Sequence, residues 1–216
     1  MEKTKGKCYS KVNRGQRKKG DMYQTPYSIT EKLLDNELFF RNLSVLEPAA
    51  GEGAIVRILE ENFEDVAHFD IEKDGKDFLT LERRPCYYII TNPPFSLANE
   101  FIVKAKKLCL IKFAFLMPLN YLQGVHRHKT IFSVKDSFPL KRVHVFTRMP
   151  TLTNEVRSDG KYSTGMQALA WYVWERTRNA EASTPTINWI NNQPDILRKE
   201  RKRGKEGNRD DKRSNG

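Results

Sequence analysis

Three short apolar runs in this chain each stop on a polar side chain. Residues 43–47 (LSVLE) end at Glu47, residues 66–70 (VAHFD) end at Asp70, and residues 87–91 (YYIIT) give way to Asn92. Stretches with apolar residues at helical spacing lie between them, and further apolar runs follow at 111–117, 143–146 and 168–175. Strands alternating with helices in this order predict an α/β layered fold with a doubly wound, mostly parallel sheet. In such sheets ligands lie beyond the carboxyl ends of the strands, where the strand order reverses. Glu47, Asp70 and Asn92 are therefore the first residues to ask about.

The helices have their own signals. Ser28-Ile29-Thr30-Glu31 fits a capping box and predicts a helix over 29–40. Residues 53–61 predict the next. Ser96 can cap a third, whose Leu97, Phe101, Ile102, Ala105 and Leu108 share one face.

Charge divides the chain. The formal net charge is +11, yet residues 1–20 alone carry eight basic and one acidic side chain, and residues 195–216 nine basic and five acidic. The stretch 21–194 is balanced, so it is read as one domain between two basic, disordered tails. The tails are either solvated ends or electrostatic arms that release counterions from nucleic-acid phosphates. No run of 18 apolar residues exists, and the first 20 residues hold no apolar stretch, so neither a membrane span nor a secretory signal is expected. Cys8, Cys86 and Cys109 sit far apart, a sparse, odd count that fits a reducing, intracellular setting.

The loop after the first run reads Glu47-Pro48-Ala49-Ala50-Gly51-Glu52-Gly53. Two glycines one residue apart let the chain turn sharply and let a ligand approach with no Cβ in the way. The third glycine of a full dinucleotide fingerprint is replaced by Val56, and no Lys-Ser/Thr pair of a phosphate-binding loop follows. Alone, the pattern fits a purely structural turn equally well. Asp70, at the end of the second run, either accepts from both hydroxyls of a ribose or caps a turn. Asp77-Phe78 can take an adenine amino group and cover its ring, or Phe78 belongs to the core.

Asn92-Pro93-Pro94-Phe95 is the most specific segment. Two prolines remove two backbone donors and leave carbonyls to accept. The Asn side chain adds an oxygen acceptor, and Phe95 adds a flat face for a base. Acceptors beside an aromatic face suit a planar ring bearing an exocyclic NH₂.

Taken together, residues 22–176 resemble the S-adenosylmethionine-dependent amino-methyltransferases of the N6-adenine DNA type. Tyr23-Gln24-Thr25-Pro26 resembles the family's N-terminal cofactor motif, and EPAAGEG its glycine-rich loop. The resemblance implies cofactor contacts from Tyr23, Thr25, Pro26, Glu47, Pro48, Ala49, Gly51, Gly53, Asp70, Asp77 and Phe78. Asp70 matches the ribose-binding acid, and Asp77-Phe78 the adenine-binding pair. NPPF matches the catalytic tetrapeptide, (Asp/Asn/Ser)-Pro-Pro-(Tyr/Phe/Trp), in which an initial Asn or Asp goes with adenine. Asn92, Pro93, Pro94 and Phe95 are then catalytic.

The implied fold is the Rossmann-like, seven-stranded sheet of the class I methyltransferases. The implied partner is DNA and the implied setting cytoplasmic, of prokaryotic or phage type. Cofactor motifs ahead of the catalytic one resemble the γ arrangement, whose members usually carry a large C-terminal recognition domain; only a short stretch follows Glu175. Sequence recognition is then either short or carried by residues 119–165. Phe146 is the nearest match to a further aromatic against the flipped base. RNA adenine and a protein glutamine amide present a similar NH₂, and a catalytically silent nucleic-acid-binding module would share the fold.

The remaining candidates are simpler. His126 and His128 are too sparse for a metal, and none is expected. Trp171 and Trp174 are read as sheet core. Arg127, Lys129, Arg142, Arg148 and Arg157 either line a phosphate track, Arg127 and Arg148 with Phe146 as substrate contacts, or lie on a solvated surface.

Overall fold

The computed structural model describes residues 25–82, 86–132, 135, 137–148, 168–178 and 184–191. Both basic tails, Cys8, Tyr23 and Arg157 lie outside them.

The chain opens on α1 (Tyr27–Asn36) and then lays down β1 (Val45–Glu47), α2 (Ala54–Glu60), β2 (Val66–His68) and the short α3 (Ile71–Asp74). The strand β3 (Cys86–Thr91), α4 (Ala98–Leu108) and β4 (Cys109–Pro118) follow. The last strands are β5 (Leu140–Phe146), β6 (Leu169–Glu175) and β7 (Thr186–Ile190). They form one seven-stranded sheet in the order β2-β1-β3-β4-β6-β5-β7. The block β2-β1-β3-β4 is parallel, β6 runs antiparallel to both neighbours, and β7 pairs parallel with β5.

Alternation along the strands builds two cores. On β4, Phe113, Phe115 and Met117 face one way with Tyr172 and Trp174 of β6, and α4 covers them through Phe101, Ile102 and Ala105. Ala114 and Leu116 face the other way with Trp171 and Val173, under Ile29 and Leu33 of α1 and Ile55, Ile58 and Leu59 of α2. Phe113 and Trp174 stack at 5.0 Å between centroids. Trp171 and Trp174 are fully buried, as the sequence predicts for sheet core. The Trp171 indole N–H donates to Ile29 O at 3.0 Å and ties β6 to α1.

The chain moves from β1 to β2 on one side and then crosses to β3 on the other side of β1. The order reverses there, with α2 and α4 on opposite faces. The carboxyl ends of β1 and β3 thus flank the switch point of the sheet.

Three local expectations are corrected. The capping box at Ser28 is not formed: α1 begins at Tyr27, with Pro26 as its N-cap and no side-chain cap bond. Proline already sets φ near the helical value and has no N–H to satisfy, so the start moves forward. The helix also stops at Asn36, short of Phe40. Ser96 does not cap α4 but lies inside a 3₁₀ turn, Phe95–Leu97, that runs into it.

Candidate active site at the carboxyl ends of the strands

The bend after β1 uses both glycines at positive φ, +50° at Gly51 and +81° at Gly53. A Cβ at Gly53 would meet nothing within 4 Å, so backbone conformation rather than crowding selects glycine there. Gly53→Ala is therefore expected to cost about 1–2 kcal/mol from backbone strain alone, read as a lowered midpoint in urea unfolding.

Asp70 closes this bend from the next strand. Its Oδ2 accepts from Gly51 N at 2.9 Å, and its Oδ1 accepts from Glu72 N at 2.9 Å as the N-cap of α3. The carboxylate is thus a structural brace that keeps further lone pairs for acceptance. The distant pairing of Asp70 with Gly51 has no sequence signal beyond the general rule for strand ends.

Glu47, expected from the sequence, carries an unexpected environment. It is fully buried at the end of β1. Its Oε1 accepts from Ala49 N at 2.8 Å and from the Thr91 hydroxyl at 2.5 Å, while Oε2 has no hydrogen-bond partner among the described residues. Burial pushes its carboxyl up to about 8, helped by the like charge of Asp70 and opposed by the two hydrogen bonds.

Thr91 ends β3 and precedes Asn92, so its bond to Glu47 joins the glycine bend to the NPPF segment. Asn92 is half-buried, and its Nδ2 donates to Thr25 Oγ1 at 3.2 Å. Thr25 is itself buried just ahead of α1. Segments far apart in sequence, Thr25-Pro26, Glu47–Gly53, Asp70 and Asn92–Phe95, are linked in this way. Of the two proline carbonyls, that of Pro94 accepts from Leu97 N at 2.9 Å and closes the 3₁₀ turn. Pro93 is left as the segment's proline acceptor. Phe95 is half-buried, against the core beneath α1 and α2.

Other expected site residues go elsewhere. Asp77 caps a 3₁₀ turn, its Oδ1 accepting from Leu79 N at 2.8 Å. Phe78 is 1% exposed and packs on Phe101 at 4.9 Å between centroids, so its ring is core and not a cover for a base. Phe146 is buried with Trp171 and Ile190 and offers no open face, because β5 and its neighbour β7 bring it inside. Arg127 holds its own loop: Nε donates to Tyr121 O at 2.9 Å, Nη2 donates to Gln123 O, and the guanidinium lies 4.8 Å from the Tyr121 ring centroid. Arg148 is half-buried just beyond β5.

Arg142 is not on a phosphate track. It binds Glu37 and Glu175 in a buried network that also holds Lys112 and His144. The network lies on the α1 side, near the amino ends of β4 and β5, away from the glycine bend. Sequence reading missed it, although a Lys inside IKFAFLM was a signal that a buried partner must exist. Among the described residues no group of three or more His, Cys, Asp or Glu could hold a metal ion, and no helix is long and apolar enough to cross a membrane.

No protein-family model and no curated protein sequence matches the chain. Solved structures do. The M protein of the EcoKI type I restriction enzyme superposes with a TM-score of 0.53 at 13% identity, over 80% of this chain and 49% of that one. A protein described as a modification subunit of a type I restriction enzyme from Vibrio vulnificus gives 0.51 at 14% identity, over 80% of this chain and 47% of that one. A protein described as a haemolysin from Lactococcus lactis gives 0.51 at 11% identity, over 74% of this chain and 91% of that one. The chain thus spans about half the length of the two restriction-enzyme subunits it matches. These likenesses, with the strand order, establish the fold: a Rossmann-like, doubly wound α/β architecture with a seven-stranded, mostly parallel sheet.

Proposed function

We propose that the protein transfers a methyl group from S-adenosylmethionine to the exocyclic N6 amine of adenine in DNA. One observation carries the reading. Thr91 and Asn92 make paired bonds to Glu47 and Thr25, which draw the glycine bend and the NPPF segment together at the switch point of the sheet. The residues fit the cofactor. The bend leaves open space at Gly53, Glu47 keeps an unpartnered buried oxygen for a cationic ligand to act on, and Asp70 retains lone pairs. When bound, S-adenosylmethionine supplies the activated methyl group.

The chain's own residues do the rest. The adenine amine is a poor nucleophile because its lone pair is delocalised into the ring. Asn92 Oδ1 and the Pro93 carbonyl accept from its two N–H bonds, localise the lone pair on nitrogen and fix its direction. Phe95 stacks on the ring. In a duplex the base must leave the helix at a cost of a few kcal/mol, roughly. Stacking on an aromatic returns about 1–3 kcal/mol of it. No nucleophilic side chain is required: Cys86 and Cys109 are buried in the sheet, and burial pushes the Cys109 thiol far up.

The test is incubation of the protein with methyl donor and unmethylated DNA, RNA or a glutamine-rich polypeptide in parallel. Nucleoside and amino-acid mass spectrometry of the digests is the readout. N6-methyladenine in the DNA arm alone is the expected result. Methylation only of RNA or of an amide nitrogen would move the substrate while keeping the chemistry. Absence of cofactor binding by calorimetry would favour a silent binding module.

A further inference from the structure

A buried carboxyl group normally has a cation or several donors beside it. Glu47 has neither in full. Its two donors, Ala49 N and the Thr91 hydroxyl, both bind Oε1, and Oε2 has no hydrogen-bond partner among the described residues. Among the described residues, the charged groups facing it are few. Asp70, beyond β2, carries the same sign as an ionised Glu47. His68, opposite Glu47 in the β1–β2 register, is exposed. Glu52 in the bend is drawn to Lys73 at the surface, and Arg57 of α2 is turned to Glu61. From β3 the neighbour is Thr91, which is uncharged.

We propose that Glu47 is a neutral carboxylic acid in the ligand-free protein and gives up its proton when a cationic ligand enters beside the Pro48–Gly53 bend. Ligand binding and proton release are then one event. The O–H bond of Glu47 breaks, the proton passes to the buffer, and the carboxylate left behind compensates the charge of the ligand. Contact is not needed, because an opposite charge within about 4–6 Å already favours the ionised form. The ionised carboxylate also draws the Thr91 hydroxyl more strongly, and Thr91 sets the backbone from which Asn92 projects. Glu47 is thus a positioning residue that registers the ligand at the NPPF segment.

This inference rests on the reading of the bend as the S-adenosylmethionine site. The ligand's own ammonium titrates at about 8, so the informative quantity is the difference between proteins. Calorimetric titrations of S-adenosylmethionine and of S-adenosylhomocysteine, each in phosphate and in Tris at pH 7, count the protons released. The wild type is expected to release close to one proton more per ligand than Glu47→Gln. Its affinity for either ligand should rise toward tenfold per pH unit between about pH 6 and 7.5, with a much flatter profile in Glu47→Gln. Thr91→Val is the second variant, in case Glu47→Gln does not fold. It removes one of the two bonds that favour ionisation, so the bend in the affinity profile should move to higher pH. Binding with equal proton counts in wild type and Glu47→Gln overturns the proton linkage and leaves the cofactor reading standing. An unmoved profile in Thr91→Val overturns it likewise. Failure of the wild type to bind either ligand overturns both.

Discussion

Asn92→Ala is expected to lower methyl transfer by at least about 10²–10³-fold, the loss seen when one preorganised hydrogen-bonding group is removed from a transition state. The effect should fall on kcat. In the proposed mechanism Asn92 supplies the acceptor that localises the amine lone pair, while the glycine bend and Asp70 do not depend on it. Affinity for S-adenosylhomocysteine should change by no more than a few-fold, roughly, the effect of a side chain outside the bend. The Asn92 Nδ2 bond to Thr25 is lost as well, so thermal unfolding of the variant is the control for misplacement of the loop. Single-turnover kinetics with excess enzyme separates chemistry from product release. Activity near that of the wild type would remove Asn92 from the mechanism.

The second large effect lies at the other end of the sheet and concerns stability. Glu37 is the centre of the buried network: Lys112 Nζ donates to its Oε2 at 2.9 Å, His144 Nε2 lies 2.7 Å from Oε1, and Arg142 binds both oxygens. Burial would raise its carboxyl, but the hydrogen bonds from His144, Arg142 and Lys112 outweigh it and hold it at about 2, against 4.5 for an ordinary Glu. Glu37→Ala leaves the buried Lys112 and the half-buried Arg142 with only the half-buried Glu175 as counter-charge. Breaking one side of such a cluster costs about 3–5 kcal/mol, to be read from urea unfolding at pH 7. The sign with pH follows from the lowered value. The stabilisation is complete above about 4.5, where the unfolded chain's Glu37 is already ionised, and is lost as pH falls from there toward 2. The gap between wild type and Glu37→Ala should therefore close in acid. A gap that is constant from pH 7 to pH 3 would show that lost packing, not charge, accounts for the difference.

The network also shows where sequence reading ran short. Glu37, Lys112, Arg142, His144 and Glu175 are scattered over three strands and a helix end, and each looks like a surface residue in its own segment. Only the β4–β6–β5 register, with Lys112 opposite Glu175 and Arg142 opposite Val173, brings them to one place. Phe146 and Phe78 failed as base contacts for a related reason. An aromatic at a strand end, like Phe146, or in a turn, like Phe78, looks the same in sequence whether it faces a cleft or the core, and the neighbouring β7 and α4 decide which. The strand β7 itself was missed, because TINWI has one buried residue and no clean alternation.

The strands that carry the site were legible locally; the helix starts at Ser28 and Ser96 were not. The central parallel strands β1, β3 and β4 are mostly buried, so each shows as a near-continuous apolar run, and the glycine and proline pairs mark the turns after β1 and β3. Composition and order alone therefore determined the doubly wound sheet, its switch-point loop and the NPPF corner. The tertiary structure decided the full burial of Glu47, the bond that ties it to Thr91, and the commitment of Arg127 and Arg142 to their own protein. Those are properties of burial and of partners distant in the chain. Desolvation and hydrogen bonding depend on what surrounds a group in space, which no local pattern of residues encodes.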